Sequence, residues 1–174
     1  MLPKSLNYDH LYNTFNLNIP PKFNIASATI DKFANTNRIA LKNLKYNGEF
    51  ENLSFRFIQK KSNQLANALD NLNLNKNDRV GIILGQCPET LISHISCFKS
   101  GKISIPLFNL FGISALKFRL IDSSASAVIC DRDGLEKLMK IKHDLPSLKH
   151  IICIDKKESD NDILFFDGLL NRSK

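Results

Sequence analysis

One stretch limits the folds open to this chain more than any other: residues 78–109 read as strand, helix and strand in close succession. Val80, Ile82, Ile83 and Leu84 form a short apolar run rich in branched residues and stopped by Gly85. That is the pattern of a strand buried on both faces, as in a parallel sheet. Pro88 suits the first turn of a helix, where its missing N–H is not needed, and Glu89 places negative charge near the positive end of the helix dipole. Leu91, Ile92, Ile95 and Phe98 recur at helical spacing, Lys99 complements the negative end, and Gly101 can take the left-handed conformation that closes a helix. Ile103, Ile105 and Leu107 follow with Pro106 among them, so this second strand is expected near a sheet edge or its own end. The unit is βαβ, which implies a parallel sheet covered by helices.

The alternation continues downstream. Residues 113–121 are expected as a helix with Ala115, Leu116, Leu120 and Ile121 available for burial, and residues 125–130 as a strand carrying Val128, Ile129 and Cys130. Leu135, Leu138, Met139 and Ile141 mark a helix over residues 131–142, and residues 150–154 form a further apolar strand. Upstream, residues 39–46 and 49–53 read as two strands joined by Asn47-Gly48, a dipeptide that accepts the positive φ angles of a type I′ turn. Ser54 can cap a helix over residues 55–71 that buries Ile58, Ser62, Leu65, Ala66 and Leu69, with Leu72 just beyond it. Phe57 stands where a capping box would place glutamate, so the cap is only half made. Residues 23–33 read as a short amphipathic helix with Ile25, Ala26, Thr29, Ile30 and Phe33 on one face, and residues 1–22, ending in Pro20-Pro21, as an arm outside the core.

The expected fold class is therefore α/β, a doubly wound and mostly parallel sheet with an N-terminal arm (1–22) and a β-hairpin inside the remaining 23–174. A chain of 174 residues can bury roughly 70% of its unfolded surface. Near the end, Leu164, Phe165, Phe166, Leu169 and Leu170 have no evident partner element, so packing is expected to continue beyond Lys174 in a longer protein.

The net charge of +7 raises the question of nucleic acid, but lysine outnumbers arginine 18 to 6 and no basic stripe with interleaved aromatics occurs. Scattered lysines describe a solvated surface better than a phosphate-reading one. Cys87, Cys97, Cys130 and Cys153 sit in apolar runs without C-x-x-C spacing, consistent with reduced thiols in a cytoplasmic protein. No apolar run is long enough to cross a membrane, and the N-terminus lacks the apolar core of a signal peptide.

Reactive motifs are scarce: there is no Walker-type phosphate loop, G-x-G-x-x-G, G-x-S-x-G or H-E-x-x-H. His94 has no companion at metal-ligand spacing and reads as a helix histidine. Asp131 and Asp133 flank Arg132 at a strand end, where open α/β sheets bind ligands, but Asp131 reads first as the cap of the next helix. Gly81 and Gly85 allow a helix or ligand to approach their strand. On the residues alone, a flavodoxin-like nucleotide-binding domain remains open.

The order and wording of several segments, however, resemble the adenylate-forming acid–CoA ligases, in particular their acetyl- and medium-chain acyl-CoA branch. Phe23-Asn24-Ile25-Ala26 is similar to the family's opening helix, and Leu53-Ser54-Phe55 with Asn63-Gln64-Leu65-Ala66 to its first shared segment. Asp78-Arg79-Val80-Gly81-Ile82, Pro88-Glu89 and Phe98-Lys99-Ser100-Gly101-Lys102-Ile103-Ser104-Ile105-Pro106-Leu107 resemble the second, and Pro146-Ser147-Leu148-Lys149-His150-Ile151-Ile152 resembles the strand after it.

The resemblance implies that residues 23–174 are an incomplete part of the large N-terminal domain of that fold. It implies an enzyme that uses ATP and Mg²⁺ to join a carboxylic acid to AMP, then passes the acyl group to CoA. The family's Ser/Thr/Gly-rich loop ending in Pro-Lys and its catalytic lysine have no counterpart before Lys174, so no catalytic residue carries over, and the chain alone is expected to be inactive. The rest of such a polypeptide would be its partner. Positions matching the relatives' CoA-contacting region are Phe108, Asn109, Leu110, Phe111 and Gly112, with Lys137 and Lys140 nearby. Asn109, Leu110 and Glu136 depart from the relatives' glycines and arginines, and packing is the competing role for these positions. A truncated module for binding or assembly is the alternative to a ligase fragment.

Overall fold

The computed structural model describes residues 4, 7–17, 20–45, 47–160 and 162–173. Its centre is the expected βαβ unit: β3 (Arg79–Ile83), α4 (Pro88–Lys99) and β4 (Ile103–Leu107). β3 and β4 run parallel, and β5 (Ala127–Cys130), β6 (His150–Cys153) and β7 (Ile163–Phe165) extend the sheet on the other side in the order β4–β3–β5–β6–β7. β4 is thus an edge strand, as Pro106 requires. The Ile103 N–H donates to the Asp78 carbonyl on the β3 side, so strand alternation turns the Pro106 nitrogen toward the open edge, where no donor is missed.

Period-two alternation divides the sheet between two cores. Val80, Ile82, Ala127, Ile129 and Ile152 point into one, packed with residues of α3 (Phe55–Asn71), α4 and α7 (Phe166–Arg172). Ile83, Val128, Cys130, Ile151 and Cys153 point into the other, against α5 (Ile113–Asp122) and α6 (Arg132–Met139). Gly81 belongs to this second face: a Cβ there would meet side-chain atoms of Leu107, Leu120 and Val128, each at 3.2 Å. Helix α5 can lie this close only because the strand presents no side chain at that point.

Local signals act as the sequence indicates. The Ser54 Oγ accepts from the Phe57 N–H at 3.1 Å, and Ile58, Leu65 and Leu69 of α3 are fully buried. Pro88 opens α4, Lys99 near its end pairs with Asp31, and Gly101 has φ +67°. Lys102, whose side chain is fully buried, pairs with Asp70 near the end of α3 and ties the approach to β4 onto that helix.

The structure corrects several expectations. The apolar tail does have partners within the chain: β7 pairs with β6, and α7 packs on α3 with Phe166 2% and Leu170 1% exposed. The outer side of β7 is covered by its own preceding loop: the Asp160 N–H donates to the Ile163 carbonyl, the Asp160 carboxylate accepts from the Ile163 N–H, and the Ser159 Oγ accepts from the Phe165 N–H. The arm contains a helix, α1 (Tyr8–Thr14), capped by Asn7, but it buries nothing. The helix expected over residues 23–33 is instead α2 (Ile25–Thr29) followed by a 3-10 turn at Asp31–Phe33; Ala26 and Ile30 are buried while Ile25 is half exposed.

The hairpin of β1 (Ile39–Leu44) and β2 (Phe50–Ser54) forms, yet not through a type I′ turn. Gly48 has a positive φ, +82°, its N–H donates to the Lys45 carbonyl, and the Lys45 N–H donates to the Glu49 carbonyl. This is a three-residue connection closed by a left-handed glycine. On α5, Leu116 and Leu120 are buried as expected, whereas Ile121 is exposed.

Candidate functional site

Strand β3 is followed in the chain by β4 on one side and then by β5 on the other, so the winding direction reverses between β3 and β5. In open α/β sheets, the crevice beyond the strand ends at such a reversal is where ligands bind. Here its parts are Gly85 after β3, the loop between β4 and α5, and the start of α6. Gly85 faces the loop closely: a Cβ there would lie 3.6 Å from the Asn109 Nδ2.

Four of the seven positions singled out from the sequence touch one another in pairs. The Lys137 Nζ donates to the Asn109 carbonyl, which binds the α6 side of the crevice to the loop. The Phe108 and Phe111 rings meet edge-on with centroids 6.1 Å apart. Leu110 is 76% exposed and Phe108 59%, an unusual amount of apolar surface for two loop residues. Gly112 is the exposed residue that opens α5. Lys140 is exposed past the end of α6 and takes no part in the Lys137–Asn109 contact.

Arg119 was not among the expected residues, although its guanidinium lies 4.1 Å from the centroid of the Phe111 ring. Eight positions separate the two, across a loop-to-helix junction, and nothing in that spacing signals contact. Asp131 behaves as the helix cap its sequence context indicates, accepting from the Gly134 N–H at 2.8 Å. The Asp155 carboxylate accepts from the Arg132 N–H at 2.7 Å, so both acids at this corner are engaged by the start of α6.

A second concavity of about 470 Å³ lies between β1 and the first half of α4, lined by Leu41, Leu44, Cys87, Leu91 and His94 among others. Burial pushes the Cys87 thiol up and the His94 imidazole down from their ordinary values, so both are neutral at pH 7. Deeper in the chain, burial raises Cys97 to about 12. Cys130 is raised and Cys153 lowered to about 6, in both cases chiefly because the two sulfurs share a hydrogen bond. All four cysteines are free thiols.

Among the described residues, no group of three or more His, Cys, Asp or Glu side chains is arranged to hold a metal ion. What the crevice offers is an aromatic loop, lysine and arginine charge, and backbone. Among the described residues, no helix is long and apolar enough to cross a membrane.

Comparison with known proteins bears on what such a crevice is part of. The chain is 33% identical over 153 residues to the acetyl-coenzyme A synthetase of Bacillus subtilis, a match covering 84% of this chain and 26% of that protein. It is 29% identical over 164 residues to the human mitochondrial acyl-coenzyme A synthetase ACSM2A, covering 89% of this chain and 28% of that one. Two crystal structures share its fold. An anthranilate CoA ligase, AuaEII, in complex with anthranoyl-AMP gives a TM-score of 0.77 at 22% identity, over 89% of this chain and 29% of that one. A Brucella canis acyl-CoA synthetase gives 0.78 at 21% identity, over 87% and 28%. The chain thus spans under a third of the length of these relatives. Residues 30–172, which include the whole of the parallel sheet, match the AMP-binding enzyme family, and the chain belongs to that family.

Proposed function

We propose that this chain is the N-terminal portion of an acyl-CoA synthetase, an enzyme that couples ATP to the activation of a carboxylic acid as acyl-AMP and transfers the acyl group to CoA. The single observation that carries the reading is the family match over residues 30–172, at the start of relatives more than three times its length. In this reading residues 1–22 are an arm and 23–174 an incomplete AMP-binding domain. ATP, Mg²⁺ and the acid are held by the part of the fold that follows, and the chain by itself does not catalyse. Its contribution is the sheet, and at the crevice the loop Phe108–Gly112 with Lys137 and Lys140 on the approach of CoA. The chemistry supports that role. Exposed Phe108 and Leu110 can shelter an apolar pantetheine arm, and the lysines can meet phosphate charge. The acid substrate is chosen elsewhere.

One observation favours a second reading. Phe166 and Leu170 are buried within the chain, so residues 23–173 include a closed core of the kind a separate binding or assembly module would need. The coding sequence past Lys174 discriminates. The ligase reading expects an open frame running into a Ser/Thr/Gly-rich loop that ends in Pro-Lys; an immediate stop codon overturns it in favour of the module.

A further inference from the structure

Cys130 and Cys153 are the last residues of the neighbouring parallel strands β5 and β6, and they are directly paired in register. Both side chains therefore leave the sheet on the same face, and both lie in the same core cluster. Neighbouring strands run about 4.7–4.9 Å apart, inside the roughly 4.4–6.8 Å Cα separation that a disulfide spans. Nothing in the CoA-ligase chemistry above uses either sulfur. We propose that Cys130 and Cys153 form an oxidisable dithiol, in which Cys153 reacts with a hydroperoxide and Cys130 resolves the product into an intramolecular disulfide.

The surroundings assign the two roles. The hydrogen bond shared with the Cys130 thiol lowers Cys153, with a smaller effect in the same direction from the backbone of Asp155 and Lys156, against the opposing effects of burial and the Asp155 charge. Cys153 is itself 1% exposed, but it ends its strand two residues before the exposed Asp155, so only an oxidant as small as hydrogen peroxide is expected to reach it, as that strand end opens. Cys130 is fully buried, and the same shared hydrogen bond holds its proton on. Once Cys153 is oxidised and uncharged, that restraint on Cys130 is gone. Among the described residues no third ligand completes a metal site around the pair.

The chemistry balances. The Cys153 thiolate attacks one peroxide oxygen, an S–O bond forms as the O–O bond breaks, and the departing oxygen takes a proton and leaves as water; the sulfur is oxidised by two electrons and the peroxide reduced by two. The Cys130 sulfur then attacks the Cys153 sulfenic acid, S–S forms, S–O breaks, and the released hydroxide takes the Cys130 proton and leaves as a second water. The net reaction is two thiols and one hydrogen peroxide giving one disulfide and two waters.

Hydrogen peroxide added to the native chain, followed by denaturation, thiol counting and peptide mapping by mass spectrometry, tests this. The expected result is a fall from four free thiols to two, a mass loss of two hydrogens, and a single linked pair, 130 to 153, formed before Cys87 or Cys97 is modified. In Cys130→Ser, dimedone should trap a sulfenic acid on Cys153; in Cys153→Ser, no disulfide should form. The proposal is overturned if the native chain keeps all four thiols under conditions that oxidise it once unfolded, if Cys87 is modified first, or if the linked pair is any other. The mapping on the unmutated chain decides even where a variant folds poorly.

Discussion

Replacing Leu170 by alanine removes a side chain that is 1% exposed from the buried face of α7. Leu170 and Phe166 of α7 lie in the same cluster as Ile58, Leu65 and Leu69 of α3, so the deleted methyl groups leave space between two helices that are otherwise in contact. Leucine-to-alanine changes at such sites cost about 2–5 kcal/mol, because lost transfer energy and the residual cavity add. A chain of this size unfolds in urea with a slope of about 2 kcal/mol per molar, so the midpoint should fall by about 1–2.5 M in a urea titration followed by circular dichroism. Leu110→Ala, at a position 76% exposed, is the control and should leave the midpoint within about 0.3 M of the parent. If Leu170→Ala shifts the midpoint no more than that control does, the C-terminal segment does not pack on α3 and the first core ends without α7.

Ser54→Ala removes the acceptor for the Phe57 N–H and should cost about 1 kcal/mol in the same titration, with Ser54→Asp restoring most of it. Gly81→Val places carbon against three side chains already 3.2 Å from a bare Cβ, and should destabilise by about 1–3 kcal/mol, whereas a neutral result would mean that α5 is free to move off the sheet. His94 is held below its ordinary value of 6.5 by burial, so between pH 6.5 and its folded-state value the unfolded chain binds the extra proton. Stability should therefore be fully present above pH 6.5 and decline on acidification below it, and His94→Gln should flatten that part of the profile. In the complete ligase, Lys137→Gln breaks the contact with the Asn109 carbonyl and should raise the KM for CoA while leaving acid-dependent ATP–pyrophosphate exchange unchanged; equal loss in both half-reactions would assign Lys137 to packing.

What could be read from the residues, and what could not, follows from how local each signal is. The βαβ unit was legible because Gly85, Pro88, Lys99 and Gly101 punctuate it at the places where a helix begins and ends, and Pro106 marks an edge by chemistry that needs no neighbour. Ser54 is read the same way. The tail was not legible, since Ile163–Phe165 runs straight into Phe166–Arg172 without a turn residue, and its strand is held by the Ser159 and Asp160 side chains as well as by β6. The hairpin turn differs because a glycine with positive φ serves two turn types, and loop length, not the dipeptide, selects between them. At the crevice, Asn109 and Lys137 are 28 positions apart and Cys130 and Cys153 meet only through strand register, so both pairings are products of topology. Arg119 on the Phe111 ring is a contact between a loop and a helix face that periodicity does not describe.

The most direct test is acid-dependent ATP–pyrophosphate exchange, assayed across a panel of short, medium and aromatic carboxylic acids on this chain alone and on the product of the whole reading frame that contains it. A ligase fragment predicts no exchange from residues 1–174 and exchange with at least one acid from the longer product. Exchange from the 174-residue chain alone, or its absence from a folded longer product that carries the Pro-Lys loop, would contradict the proposal.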